Sequence, residues 1–357
     1  MNFEKYLMEQ AELHPSVLPQ DIMKMCYQAA CGEEHLLSDL QGAHRYLEQE
    51  YMATPAEDAA LYECISDTFC RINLSAWKFR TLPLRWLFRM FAASAGDGEG
   101  DAGLFSEYLG TAGRAAETGK LPFGVAEWKD YLAGVRDGSA GKDIPDPVHH
   151  SDRYREFERP AYRIVDRRYT RLLPILERIS ELPATRQPCV IAIDGRAASG
   201  KSTMAGQLCR ILDGALIRMD DFFLPPGLRT PERYAEPGGN VHYERFREEV
   251  LPFLARPECF SYRIFDCGKM DYTGEWKVEN RPFRIVEGSY SCHPRFGKYA
   301  SVTVFSDIDP REQLRRIALR NGETMAELFR KKWIPLEEKY FEECRTAEKA
   351  DVAVGSN

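Results

Sequence analysis

Between Cys189 and Leu212 the chain reads CVIAIDGRAASGKSTMAGQLCRIL, a β-branched run, a glycine-bearing loop and a helical run in immediate succession. The loop Gly195–Ser202 has the spacing G-x-x-x-x-G-K-S, which in a strand–loop–helix context is a phosphate-binding P-loop. Glycine lets the backbone turn its N–H groups inward around phosphate oxygens. The following helix adds its positive end. These requirements select Gly195, Ala198, Ser199, Gly200, Lys201, Ser202 and Thr203 as nucleotide contacts. Lys201 is placed to reach the β- and γ-phosphates, and the Ser202 hydroxyl to ligate Mg²⁺. The loop therefore predicts that this part of the chain binds a nucleoside triphosphate with Mg²⁺.

A length of 357 residues suggests two domains or one large one. The formal net charge of −7 argues against nucleic acid as the partner. No apolar run is long enough to span a bilayer, so no membrane partner is expected. The opening MNFEKYLMEQAELHP carries acids and no apolar stretch of a secretory signal. Ten cysteines are scattered without a C-x-x-C pair, which suits reduced thiols in a cytoplasmic protein.

From Cys189 onward apolar runs alternate with helical ones, the pattern of a parallel α/β sheet with helices on both faces. Strands are expected at Val190–Ile193, Ala215–Met219, Phe283–Val286, Val302–Phe305 and Val352–Val354. Helices are expected at Lys201–Leu212, Tyr243–Leu254, Pro310–Asn321 and Thr324–Lys332. The preceding half reads as mainly α-helical, with apolar spacing in Ile22–Cys26 and Leu84–Phe91. A glycine-rich turn falls at Ala92–Gly103 and a polar stretch at Asp137–His150. The run PATRQP, Pro183–Pro188, marks the expected boundary, giving a helical domain over 1–182 and a P-loop domain over 183–357.

Phosphoryl transfer needs a phosphate cradle, a metal, a group that takes the acceptor proton, and cations for the developing charge. Asp220 follows the strand ALIRM and is placed to act as that base; the pair Asp220–Asp221 also suits a turn cap. Glu287 closes the strand FRIVE and could hold Mg²⁺, directly or through water. Arg315, Arg316 and Arg320 lie on one predicted helix, with Arg316 and Arg320 four residues apart on a shared face.

Together, GRAASGKS, MDDFFLPP, IVEGSY and RRIALRNG resemble the uridine kinase and phosphoribulokinase group of P-loop kinases. The resemblance covers the C-terminal half. It implies ATP-dependent transfer to a small-molecule hydroxyl, with Asp220 as catalytic base, Glu287 assisting Mg²⁺, and Arg316 and Arg320 as a lid beside catalytic Lys201. Two departures stand out. The segment Gly239-Asn240-Val241-His242-Tyr243 has His242 where uridine kinases carry the Asp of N-x-D. The run Phe265–Met270 lacks their base-reading His. Uridine and cytidine are therefore expected to be poor acceptors. Candidate acceptor contacts are Asp221, Arg229, Tyr234, His242 and Asp266.

The first half holds no comparable motif. His35 and His44 lack a standard metal-ligand spacing, and the adjacent His149 and His150 should point in different directions. The run Arg71–Arg80 could line an anionic pocket, but reads better as a helix with buried Trp77 and snorkelling arginines. Two further readings stay open: a regulatory P-loop NTPase coupled to the helical domain, and a bifunctional enzyme with a second active site in that domain.

Overall fold

In a computed structural model of the chain, residues 3–32, 39–95, 100–138, 144–183 and 188–355 are described. His35, residues 96–99 and 139–143 of the two polar stretches, and residues 184–187 of the expected boundary lie outside them. The chain forms two compact units, Met1–Thr170 and Arg171–Asn357. The division thus falls after Thr170 rather than at 182/183. The residues between belong with the second unit because the helix Leu173–Ser180 buries Leu173, Ile175, Leu176 and Ile179 and packs on that unit's sheet.

The first unit contains helices α1 (Phe3–Leu13), α2 (Pro19–Cys31), α3 (Leu40–Ala53), α4 (Leu74–Phe79), α5 (Leu84–Ser94), α6 (Ala102–Glu117), α7 (Val125–Gly138) and α8 (Asp152–Glu158). Its core is built where α1, α2 and α7 pack against α6, around Leu7, Ile22, Met25, Cys26, Phe105 and Ala112. Helix starts are fixed by side chains that satisfy orphan N–H groups. Asp101 accepts from Leu104 N at 2.8 Å and Asn73 from Ser75 N at 2.9 Å.

The unit is helical but not only helical. Strands β1 (Tyr62–Cys64), β2 (Phe69–Asn73) and β3 (Tyr162–Asp166) form an antiparallel sheet in that order. The expected helix over Arg71–Arg80 therefore begins only at Leu74, while Trp77 is buried as expected. Arg71 sits mid-strand, 4% exposed, and donates to Gln10 and Gln28 rather than reaching for solvent.

The second unit opens with α9 (Leu173–Ser180) and is ordered around a five-stranded sheet. Its strands are β4 (Cys189–Gly195), β5 (Gly214–Arg218), β8 (Phe283–Glu287), β9 (Val302–Ser306) and β10 (Val352–Val354). The order is β10-β9-β4-β8-β5, with every pairing parallel. All five strands match expectation. The central β4 is buried throughout, as a parallel strand covered on both faces must be. Helix α10 (Lys201–Leu212) packs on β4, β5 and β8.

Strands β6 (Phe260–Asp266) and β7 (Asp271–Val278) form a separate antiparallel hairpin, with helices α11 (Pro231–Ala235) and α12 (Tyr243–Glu249) before it. Helix α12 stops short of the expected Leu254 because Pro252 follows in the short 3₁₀ turn Leu251–Phe253. After β9 come α13 (Pro310–Asn321), α14 (Glu323–Leu328), a π-helical turn over Phe329–Trp333, α15 (Ile334–Cys344) and α16 (Thr346–Lys349). The helix expected over Thr324–Lys332 is thus divided between α14 and that turn.

Candidate active site

The carboxyl ends of β4, β8 and β5 lie side by side, and ligands of open parallel sheets bind there. At the end of β4 the backbone turns at Gly195, φ +133°, where a Cβ would lie 2.1 Å from the Ser306 carbonyl oxygen. Only glycine permits that approach. Gly200 has φ +91° and Ala198 φ +60°, so the loop coils through left-handed geometry before α10 begins. Lys201 Nζ donates to the Gly195 and Arg196 carbonyls at 2.8 and 2.7 Å. The Ser199 hydroxyl is fully buried and has no hydrogen-bond partner among the described residues. Ser202 and Thr203 are exposed on the first turn of α10.

Two acids that sequence reasoning did not single out brace this loop. Asp194 is 1% exposed and accepts from Gly195 N, Tyr290 N, Cys292 N and Tyr340 Oη at 2.7–2.9 Å. Glu337 on α15 accepts from Ala197 N at 3.0 Å and from Ser289 Oγ at 2.8 Å. Burial pushes the Glu337 carboxyl up, opposed by Lys201 and by those two bonds. Its signal in the sequence was a carboxylate on the apolar side of a helix.

Glu287 accepts from the Ser202 hydroxyl at 3.3 Å. Burial and nearby Asp220 raise its pKa, while Lys201 and Ser202 lower it. The pair offers a hydroxyl and a carboxylate, both hard oxygen donors suited to Mg²⁺. Asp220 stands exposed on the 3₁₀ turn after β5; Asp221 beside it is buried. The Asp221 carboxylate is committed to Arg218 Nε at 3.1 Å and Tyr262 Oη at 3.0 Å. Arg218 in turn lies over the Trp276 ring at 4.2 Å. Asp221, expected at the acceptor, is therefore a brace between the turn and the hairpin and does not line the cavity beside them.

A cavity of about 240 Å³ is lined by Leu224, Arg229, Tyr234, Asn240, Trp333 and Glu337, with Phe223, Cys267, Met270, Tyr290 and Phe329. Of the expected acceptor contacts, Arg229 and Tyr234 line this cavity. His242 and Asp266 are not among the lining residues. His242 precedes α12, its N–H bonded to Phe222 O, and Asp266 accepts from Gly268 N and Lys269 N as the hairpin turns. Asn240, Tyr290, Trp333 and Glu337 take the lining places instead. Asn240 is 5% exposed and its Oδ1 has no partner among the described residues.

Arg316 lies with Arg196, Asp307, Asp309 and Gly355 around a further cavity of about 540 Å³, and its Nε bonds Glu312 at 2.6 Å. Arg320, one turn on, is exposed and bonds Asn321. A further cation was missed. Arg171, just before α9, donates to the Ser199 carbonyl at 3.3 Å, and a Cβ on Gly200 would lie 3.2 Å from its guanidinium. Burial and the Arg316 charge lower its pKa. It stands far from every motif in the sequence, and only the packing of α9 on the sheet brings it to the loop.

In the first unit, His44 packs edge-on to Phe88 at 4.6 Å, and no metal-binding cluster occurs among the described residues. No described helix is long and apolar enough to cross a membrane. None of the ten cysteines, all of them among the described residues, is joined in a disulfide.

The phosphate loop and strand order define the second unit as a P-loop fold. No protein-family profile matches the chain. Its structural neighbours include two described as kinases, each covering about half of this chain. One is described as a possible uridine kinase from Bacillus stearothermophilus, 18% identical, TM-score 0.40, covering 52% of this chain and 97% of that one. Another is a candidate fructose transport system kinase from Silicibacter, 19% identical, TM-score 0.41, covering 51% of this chain and 95% of that one.

Proposed function

We propose that the chain is an ATP- and Mg²⁺-dependent kinase that phosphorylates the hydroxyl of a small molecule with a planar or apolar body. The observation that carries this reading is the placement of Asp220, Glu287 and Ser202 at the carboxyl ends of adjacent parallel strands and the head of α10. The aromatic-lined cavity beside the loop supports an acceptor molecule, because Glu337 both lines it and bonds the loop backbone. A nucleotide switch needs a positioned water and mobile loops and has no use for such a pocket.

The residues fit the nucleotide. The left-handed loop, the buried unpartnered Ser199 hydroxyl and the Ser202–Glu287 pair form a phosphate cradle beside a metal-donor pair. Gly195–Thr203 would hold the phosphates, and Ser202 with Glu287 the metal. Bound Mg-ATP supplies an electrophilic γ-phosphoryl group whose charge the metal partly neutralises. Lys201, Arg316 and Arg171 place cations where equatorial oxygens gain charge. Arg320 is kept as a lid residue that would act on closure. Asp220 accepts the acceptor hydroxyl's proton. Asn240 Oδ1 is an open hydrogen-bond acceptor for an N–H or O–H of the bound molecule. Loss of the polar contacts at His242 and Met270 leaves uridine and cytidine as weak acceptors.

A metabolite panel scored by acceptor-stimulated ADP release tests this reading. Stimulation by hydroxyl compounds with a planar or apolar body is expected. Efficient phosphorylation of uridine at micromolar concentration would refute the specificity claim.

A further inference from the structure

The first unit carries a chain of side-chain hydrogen bonds that phosphoryl transfer does not use. Asp21 on α2 is 2% exposed, and its carboxylate accepts from His150 Nδ1 at 2.9 Å, Ser151 N at 2.9 Å, Ser151 Oγ at 2.6 Å and Leu18 N at 3.0 Å. On the other side of the ring, His150 Nε2 lies 2.6 Å from the Tyr162 hydroxyl. Burial works against charge on Asp21, yet the bonds from His150, Ser151 and Leu18 outweigh it and hold the carboxyl below its usual range. Asp21 is thus an acceptor. His150 Nδ1 carries the proton, and Nε2 presents a lone pair to the Tyr162 O–H. Burial, opposed by Asp21 and reinforced by Arg71 and Lys24, pulls His150 down to about 4 and keeps the ring neutral.

Burial falls along this series from Asp21 through His150 to half-buried Tyr162. An orienting acid behind a base behind a hydroxyl, which here also accepts from the buried Gln28 Nε2 at 3.1 Å, is the arrangement of an activated nucleophile. Tyr162 lines two cavities of about 650 and 970 Å³ that also share Glu50, Arg159 and Pro160. The smaller is strongly cationic: Lys24, Arg155, Arg159 and Arg163 line it against the single carboxylate Glu50, which is itself paired with Arg163 at 2.5 Å. The Arg71 guanidinium lies 4.7 Å from the Tyr162 ring centroid, a cation–π contact. Arg71 is fixed there by the neutral amides of Gln10 and Gln28.

We propose that this unit holds a second active site, for a small anionic molecule bearing phosphate or carboxylate, in which Tyr162 is the reactive hydroxyl, His150 its base and Asp21 the group that orients His150. The Tyr162 proton passes to His150 Nε2 only as the phenolic oxygen bonds to an electrophilic atom of the ligand and that atom's leaving group departs, because a ring held near about 4 cannot take the proton beforehand. The cationic cavity holds the ligand's charge beside that oxygen.

The test needs no knowledge of the natural ligand. The full chain is treated with 4-(fluorosulfonyl)benzoate, an anionic electrophile. Tyrosine attack forms an S–O bond, fluoride leaves, and the phenolic proton goes to the base. Peptide mass spectrometry then ranks the 17 tyrosines by rate. Tyr162 should react at least ~10-fold faster than the median tyrosine, and His150→Gln should bring it to background. Pyrophosphate protection identifies a phosphate ligand and citrate protection a carboxylate ligand; Arg159→Ala should weaken whichever protects. Tyr162→Phe should lose the label yet still bind the protecting anion by calorimetry. The proposal fails if Tyr162 reacts no faster than the median, or if neither anion slows it at millimolar concentration. It also fails if a His150→Gln protein of unchanged melting temperature labels as the parent does. Should that variant not fold, the parent's ranking and anion protection decide alone.

Discussion

The Glu337 carboxylate accepts the Ala197 N–H at 3.0 Å, so a helix close to the chain's end holds the third residue of the phosphate loop. The same carboxylate takes the Ser289 hydroxyl and forms part of the aromatic-lined cavity. One side chain thus ties the phosphate cradle to the acceptor pocket. Glu337→Ala would leave a loop N–H and a hydroxyl without their partner. Calorimetric unfolding should show a loss of about 1–3 kcal/mol, the cost of stranding buried polar groups. Glu337→Gln keeps an acceptor and should lose less. Equal stability of all three proteins would show that the loop does not depend on this bond.

Lys201→Ala should nearly abolish turnover while the fold survives, because Lys201 is the cation at the transferring oxygens. Its own bonds are to two loop carbonyls, those of Gly195 and Arg196. Steady-state ADP release beside a thermal melt checks this; near-normal turnover in the folded variant would sink the kinase reading.

Asp220 and Asp221 should separate cleanly. Asp220→Asn keeps ATP binding by calorimetry and lowers transfer by about 10²-fold or more, as expected for a lost general base. Asp221→Asn weakens the Arg218–Asp221–Tyr262 brace and should show mainly as lower stability. If Asp221→Asn is the more damaging to turnover in folded protein, the base has been misassigned.

Arg171 contributes through the loop it touches. Arg171→Ala should weaken ATP affinity by about 10-fold, in the range of one charge-assisted hydrogen bond. Titration calorimetry with ATP measures it directly, and an unchanged affinity would leave Arg171 as a packing residue only.

The His14–Glu63 pair makes stability of the first unit depend on pH. Burial opposes the charge on Glu63, but bonds from His14 and Gln10 bring its pKa down from 4.5 to about 2. A depressed acid contributes stability that is present above 4.5 and lost as pH falls toward about 2. Burial likewise opposes charge on His14, but Glu63 and Glu158 raise its pKa above 6.5, so its contribution is present below 6.5 and lost as pH rises through the folded value. Glu63→Gln should flatten the acid limb of a melting-temperature profile; an unchanged limb would show that the pair carries none of it.

The parallel sheet was legible because its strands are short β-branched runs next to loop signals, and the phosphate loop because its spacing is rigidly demanded by backbone geometry. The hairpin was not, since β7 is almost wholly exposed and the Tyr272, Trp276 and Val278 face of DYTGEWKV is interrupted by Gly274. Strands β2 and β3 were hidden by buried Arg71 and Arg163, charges that belong to no amphipathic pattern. Adjacent Asp220 and Asp221 look equivalent in sequence; a 3₁₀ turn exposes one and buries the other. The pocket residues Trp333 and Glu337 come from a π-helical turn and the helix after it, a geometry with no sequence signature.

The central claim is that the γ-phosphoryl group goes to an organic hydroxyl and that Asp220 sends it there. Single-turnover reactions with γ-labelled ATP, excess protein and the strongest acceptor from the metabolite panel measure how label divides between acceptor and water. The parent chain should place most of the label on the acceptor, and Asp220→Asn should slow that transfer by about 10²-fold with ATP still bound. Label appearing only as inorganic phosphate, at a rate no acceptor changes, would contradict the account and make the second unit a nucleotide-hydrolysing switch.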